Sequence, residues 1–283
     1  MTNPASSVLI TGCSTGFGRV TTTHLLSRGW QVVATVRAEA DRNSLLAEAA
    51  AAGHADRLTV VTADITRAAD VAAIGDAVRT VAPSLNALVN NAGTAFPAPL
   101  ELLPIDELRA QLEINVVAQL AVTQVVLPAL KQGRGTLINV SSISGRIASP
   151  LVGAYSMSKF ALEAMSDVLR LELIPFGIKV VLIEPGSSPT RIWQTTMNRK
   201  SAADVPGIKP YQPLVDRMRE FAERARTVGF PPQLFADTVE HILTVPNPKP
   251  RYPIPGDIRM RLLIRRIVSD RMMDRLIRRK LGW

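Results

Sequence analysis

The chain holds one cysteine, three histidines and few aromatic residues, 5% of its 283 positions. A single thiol, Cys13, excludes an internal disulfide and offers no clustered metal site, so a reducing cytoplasm is the expected compartment. His24, His54 and His241 share no ligand spacing, and surface or core positions are preferred over metal binding for all three. The opening MTNPASS lacks the basic and apolar regions of a secretory signal. No clean membrane-spanning run is present. The longest apolar stretch, Ile114 to Leu130, is interrupted by Asn115, Gln119 and Gln124 and reads as a buried helix.

The rest of the composition, 47% hydrophobic and 20% charged, is that of a globular chain long enough for one sizeable domain. Its net charge is +9, but the excess is local. Between Arg251 and Trp283 nine Arg and one Lys face Asp257, Asp270 and Asp274, a net of +7. The basic field does not run through the whole domain, which argues against nucleic acid as a partner.

Short apolar runs alternate with helical patterns. Strands are expected at 7–10, 31–36, 57–65, 86–93, 136–142 and 179–186. Helices are expected near 17–28, 38–52, 67–82, 105–131 and from about 154. That rhythm implies an α/β fold: a doubly wound, Rossmann-type parallel sheet covered by helices on both faces. After Gly186 the rhythm breaks. Residues 187–235 read as a lid, the proline-rich 246–256 as an extended connector, and 258–281 as helical with a break near Ser269. The expected division is a catalytic domain over 1–257 and a basic amphipathic extension over 258–283.

Two features carry chemistry. The turn TGCSTGFG joins the first strand to the first helix. Gly12 permits the tight turn, while Gly16 and Gly18 allow backbone and ligand to approach without Cβ clashes. A helix starting there presents free N–H groups and a partial positive charge to a pyrophosphate. In YSMSK, Tyr155 and Lys159 stand one helical turn apart on one face. A neighbouring ammonium favours the phenolate, so the pair is expected to bring the phenol down from about 10 towards acid–base duty.

These residues, with NNAG at 90–93, INV at 114–116, VSS at 140–142 and PGSSPT at 185–190, occur in order over about residues 7–190. The chain resembles the classical short-chain dehydrogenase/reductase family, and STGFG, VLITG and RYPIPGD look most like its hydroxysteroid- and retinol-dehydrogenase-like branch. The resemblance implies an oxidoreductase in which Tyr155 exchanges a proton with the substrate oxygen. Lys159 would lower its pKa and bind the nicotinamide ribose, Ser142 would polarise the carbonyl, and Asn115 would hold a water linking Lys159 to solvent. It further implies cofactor contacts from Gly12, Ser14, Thr15, Gly16, Phe17, Gly18, Asp64, Ile65, Asn91, Ala92, Gly93, Pro185, Gly186 and Thr190. Homo-oligomers, dimer or tetramer, through the helices near 105–131 and 155–174, are usual in the family.

The second strand ends in Thr35, Val36 and Arg37, without a carboxylate. A carboxylate there would repel a 2′-phosphate, whereas Arg37 can pair with it, so NADP(H) is favoured over NAD(H). The substrate is expected to be a small lipophilic carbonyl or alcohol, because the lid carries Ile192, Trp193, Met197, Tyr211, Leu214, Met218 and Phe221. Two placements are open for the basic tail. Docking on the chain's own core or on a partner is preferred, and an anionic membrane surface is the alternative. An NAD-dependent alcohol dehydrogenase of the same fold, and a scaffold that senses nucleotide without turnover, are the competing readings.

Overall fold

Runs such as SVLI and QVVATV, rich in β-branched residues, form strands because such side chains fit a pleated surface buried on both faces. The computed structural model describes residues 6–189 and 206–282. Its seven strands are β1 (Ser7–Ile10), β2 (Gln31–Val36), β3 (Leu58–Thr62), β4 (Ala87–Asn90), β5 (Thr136–Val140), β6 (Lys179–Pro185) and β7 (Arg251–Ile254). They lie in the order β3-β2-β1-β4-β5-β6-β7, and every pairing is parallel.

Parallel neighbours require crossovers, which helices supply. These are α1 (Gly16–Ser27), α2 (Glu39–Ala51), α3 (Ala68–Val81), α4 (Ile105–Leu112), α5 (Ala118–Gly133) and α6 (Gly153–Glu172), followed by α7 (Gln212–Val228), α8 (Pro232–Thr244), α9 (Ile258–Ile267) and α10 (Asp270–Leu281). Alternation along β1 divides the core. Val8 and Ile10 point to one face with Leu25 and Phe235, while Leu9 points to the other with Ile74, Val122 and Leu130. The chain leaves β1 towards β2 on one side and returns at β4 on the other. That reversal opens a crevice beyond the carboxyl ends of β1 and β4, the usual ligand position in open α/β sheets.

Three expectations needed correction. Residues 246–256 do more than connect, since Arg251–Ile254 is the seventh strand, paired with Leu182–Pro185. Pro253 is tolerated because β7 is an edge. The helix over 105–131 is interrupted by a π-helical turn, Glu113–Val117. Finally, Phe230 and Phe235 are buried in the main core, so the start of α8 belongs to the sheet's cover and not to the lid.

The helical stretch Ile105–Gly133 is, by length and composition alone, apolar enough to cross a membrane. Its buried polar residues oppose that use. Gln111, Asn115, Gln119 and Thr123 all hydrogen-bond within the protein, as a core helix does.

Candidate active site

The glycine turn follows β1. Gly12 and Gly16 have φ of +71° and +60°, a left-handed conformation that strains any residue with a Cβ. Thr35 holds the turn by accepting from the Gly12 N–H at its hydroxyl (3.1 Å) and from the Cys13 N–H at its carbonyl (2.8 Å). Thr11 Oγ1 accepts from the N–H groups of Asn91 and Ala92, both at 3.0 Å, while Asn91 Nδ2 donates to the carbonyls of Thr11 (2.8 Å) and Gly12 (3.0 Å). The ends of β1 and β4 are thereby laced together across the crevice. Thr15 caps α1 in extended conformation without a side-chain bond, so the first-turn N–H groups have no side-chain cap.

Two of the expected contacts here have other duties. A Cβ on Gly18 would meet the Gly12 carbonyl oxygen at 2.3 Å and Asn91 Nδ2 at 2.6 Å, so the missing side chain admits the protein's own turn and leaves only the backbone of this glycine for a ligand. Phe17 stacks on Phe235 (4.3 Å) and Phe230 (5.7 Å), which leaves only its backbone for a nucleotide. Ile65 is likewise a core side chain. Burial pushes the Cys13 thiol up to about 12, leaving it inert as a nucleophile. Ser14 and Thr15 are half-buried, as are Asn91 and Ala92, and Gly93 is exposed at the crevice.

Ser142, Tyr155 and Lys159 converge. The Ser142 and Tyr155 hydroxyls share a hydrogen bond. Ser142 Oγ also accepts from the Ser144 N–H at 3.1 Å, which fixes its rotamer at the end of β5. Ser141, its neighbour and rival, is buried with its hydroxyl turned away towards Gly145. Lys159 Nζ lies 5.6 Å from the centre of the Tyr155 ring and donates to the Val140 carbonyl at 2.8 Å. Among the described residues that is its one hydrogen bond, and its remaining hydrogens are available to a ligand.

The electrostatics differ from the expected picture. Burial pushes Tyr155 up to about 12, against a smaller lowering by Ser142, and Lys159 is not among the causes. Burial likewise brings Lys159 down to about 8, partly opposed by the nearby Glu163 carboxylate. The reason is desolvation: a lysine this deeply buried loses much of its own charge preference before it can help a phenolate.

Asn115 sits in the π-helical turn and pins the loop after β4. Its Oδ1 accepts from the Thr94 N–H (2.9 Å), and its Nδ2 donates to the Thr94 carbonyl (3.0 Å) and to Ser158 Oγ (3.0 Å). π-Turns recur at functional sites because they displace one helical residue from register. Gln111 and Gln119, which sequence reasoning passed over, extend the clamp to the Thr94 and Ala92 carbonyls. Thr11 and Thr35 were also missed. A lone threonine at a strand end carries no signal until its partners are known.

At the other end of the crevice Arg37 is exposed. Glu39, the nearest carboxylate in sequence, is occupied by Thr62 Oγ1 (2.9 Å) and Arg42 (2.8 Å). Asp64 accepts from the N–H and hydroxyl of Thr66. Burial works to raise its pKa, but those bonds and the charges of Arg37 and Arg67 leave it below the usual range. Pro185 ends β6, and the Gly186 N–H donates to the Ile254 carbonyl at 2.8 Å. Ser188 Oγ donates to the Phe230 carbonyl at 2.8 Å, a tie the sequence did not reveal. Thr190, Ile192, Trp193, Met197 and the Phe221 side chain lie outside the described residues. Of the expected lid residues, Tyr211, Leu214 and Met218 pack with Leu151, Ile208 and Val215, and Met218 also reaches the cluster of Ala95, Val152 and Tyr155.

The histidines have protein partners: His24 meets Glu240 at 2.6 Å, His54 meets Arg57 at 2.8 Å, and His241 lies edge-on to Tyr252. Behind Lys159 is a charge cluster, built on the buried Glu163 and Glu184, that sequence analysis did not foresee. Arg251 of β7 bonds Glu163 (3.0 Å) and Asp167 (2.7 Å) and lies 3.4 Å from Glu184, which also meets Arg146 at 2.9 Å.

A Rossmann sheet with a glycine turn at its switch point and a Ser–Tyr–Lys group beside it defines a dinucleotide-dependent oxidoreductase. The chain belongs to the short chain dehydrogenase family, whose model matches residues 6–201. It falls in the hydroxysteroid- and retinol-dehydrogenase-like branch. It is 33% identical to human retinol dehydrogenase 16 over 89% of this chain and 81% of that one. It is 31% identical to the NADPH-dependent 3-dehydrocapnine reductase of Ornithobacterium rhinotracheale, over 95% and 94% respectively. Among solved structures, a short-chain dehydrogenase from Streptomyces avermitilis superposes with a TM-score of 0.79, at 27% identity, covering 93% of this chain and 92% of the other.

Proposed function

We propose that the protein is an NADP(H)-dependent oxidoreductase that reduces a carbonyl of a lipophilic small molecule, with Tyr155 as general acid. The observation that carries this reading is the hydrogen-bonded pair of Ser142 and Tyr155 beside a buried Lys159 with hydrogens to spare. The residues fit a dinucleotide: the left-handed glycines, the first turn of α1 without a side-chain cap, and Lys159 supply donors where a pyrophosphate and a ribose would need them. Gly12, Ser14, Thr15 and Gly16 would hold the phosphates, Asp64 and Asn91 to Gly93 the adenosine side and floor, and Pro185, Gly186 and Thr190 the nicotinamide end. A bound nicotinamide would supply the hydride.

The chain's own residues do the rest. Ser142 donates to the substrate oxygen and orients it. Tyr155 passes its proton to the developing alkoxide. A phenol at about 12 remains much the stronger acid, since an alcohol resembles water at about 15.7. Lys159 holds positive charge close to the phenol as its proton leaves. Asn115 keeps the Thr94 loop in place beneath them and is suited to anchor a water on the proton path.

The phosphorylated cofactor is supported by the exposed Arg37, by the engagement of Glu39 elsewhere, and by the NADPH-dependent relative. Lipophilicity is supported by the aliphatic wall of Leu151, Ile208, Leu214 and Met218 leading to Tyr155, and by the retinol dehydrogenase likeness. Val117, Met157, Phe160, Val168 and Leu171 are exposed apolar residues of the helical layer expected to form a homo-oligomer. A cytoplasmic catalytic domain over 1–257, with 258–283 as an extension, completes the reading.

The deciding experiment is Tyr155→Phe. Turnover of an NADPH-linked carbonyl screen should fall by at least about a hundredfold, with NADPH affinity, read by nicotinamide fluorescence, unchanged. Undiminished turnover would remove Tyr155 from the acid role.

A further inference from the structure

The C-terminal helices turn their apolar residues in an unusual direction. In α9 the side facing the protein is set by Ile258, which is buried and approaches Gly186, and by the half-buried Leu262. Met260, Leu263, Ile264 and Ile267, spaced three, one and three residues apart, fall on the opposite side of a helix of 3.6 residues per turn. They are 62%, 49%, 40% and 75% exposed. A surface helix normally does the reverse, with its apolar stripe inward. In α10, Met273 is buried and Leu281 packs against the aliphatic cluster of Leu151, Ile208 and Leu214, while Met272 and Leu276 remain exposed. The expected docking on the core is therefore partial: the tail is anchored by one side and bare on the other.

Charge selects what covers the bare side. Arg259, Arg271, Arg275 and Arg279 are exposed and, among the described residues, form no ion pair. A second copy of this chain would set arginines against arginines around the same stripe. An anionic lipid surface offers hydrocarbon for the stripe and phosphate or carboxylate for its border.

The geometry points to a membrane-docking face formed by α9 and α10, specific for bilayers bearing negative headgroups. Its place in the fold gives it a use that rests on the proposed reaction. The cluster that seats α10 shares Met218 with the cluster around Tyr155, so docking holds the aliphatic wall of the active site close to the bilayer. A lipophilic substrate would then pass from hydrocarbon to pocket with little exposure to water.

Full-length protein is sedimented with phosphatidylcholine vesicles, with and without phosphatidylserine, and in low and high salt. The wild type should pellet with the anionic vesicles alone and be released by salt. The exposed double variant Leu263→Glu/Ile267→Glu should need at least about tenfold more lipid for the same recovery. Its cofactor affinity without vesicles should equal that of the wild type. Equal recovery on neutral and anionic vesicles, or identical binding of wild type and variant, would overturn the proposal. A wild-type dimer that the variant splits, seen by sedimentation velocity, would give the face to a second copy. Docking is read without turnover, so its failure is distinguishable from failure of the catalytic assignment.

Discussion

Lys159 should write its own titration into the rate. Burial brings its ammonium from 10.5 down to about 8. At 1.36 kcal/mol per pH step, keeping that charge in place costs roughly 3 kcal/mol relative to an exposed lysine. The sign follows directly. Below about 8 the lysine is charged and supports the departing proton of Tyr155; above it the support disappears. Tyr155 itself, at about 12, stays protonated throughout that window. The maximal rate of carbonyl reduction should therefore be flat near neutrality and fall as pH rises through about 8, although the proton donor is a phenol. Lys159→Arg retains charge and should move that fall above about pH 10, at some loss of rate from poorer fit. Initial rates under saturating cofactor and substrate, followed by nicotinamide absorbance, are sufficient. A wild-type profile that stays level to about pH 10, or a fall unmoved by the arginine, would refute the assignment.

Arg37→Ala should weaken NADPH binding by about tenfold while leaving NADH affinity unchanged; titration with both dinucleotides decides it, and equal losses would return the NAD-dependent reading. Gly18→Ala places a Cβ 2.3 Å from the Gly12 carbonyl oxygen, so it should lower thermal stability and cofactor affinity together. A normal melting curve with normal affinity would contradict the close packing. Arg251→Met strips the buried Glu163 and Glu184 of a shared cation and should destabilise the fold by about 3 kcal/mol in denaturant titration. Burial and the neighbouring Glu163 already raise the Glu184 pKa, so part of that loss should be recovered on mild acidification, when the Glu184 carboxylate becomes neutral.

The parallel sheet was legible because each strand is a short apolar run and each crossover a helical one. Residues 251–254 escaped because three prolines within six residues argue against a strand, and only an edge position tolerates Pro253. At the site, spacing pairs Tyr155 with Lys159 on one helix face, and the family resemblance adds Ser142 from a strand end; the structure places the three side by side. What a spacing could not convey is solvation. The phenol was expected to be lowered by its lysine, yet both groups are buried, and burial opposes charge on each. Phe17 and Gly18 stand in the expected turn, but the phenyl ring and the missing Cβ serve the protein's own packing. A motif locates a loop, whereas the direction of each side chain depends on helices far away in the chain, here α8 and its Phe235.

The wide turn at Glu113–Val117 has a mechanical consequence. An ideal α-helix advances about 100° per residue, so side chains four apart drift by about 40° at each step. A stretch closed by longer-range bonds turns more slowly and takes back part of that drift. Gln111, Asn115 and Gln119 consequently form a single file along the carbonyls of Ala92 and Thr94. In a regular α-helix the eight steps from Gln111 to Gln119 would accumulate about 80° and carry one glutamine out of line with the other. The irregularity is the jig on which the floor of the crevice is set.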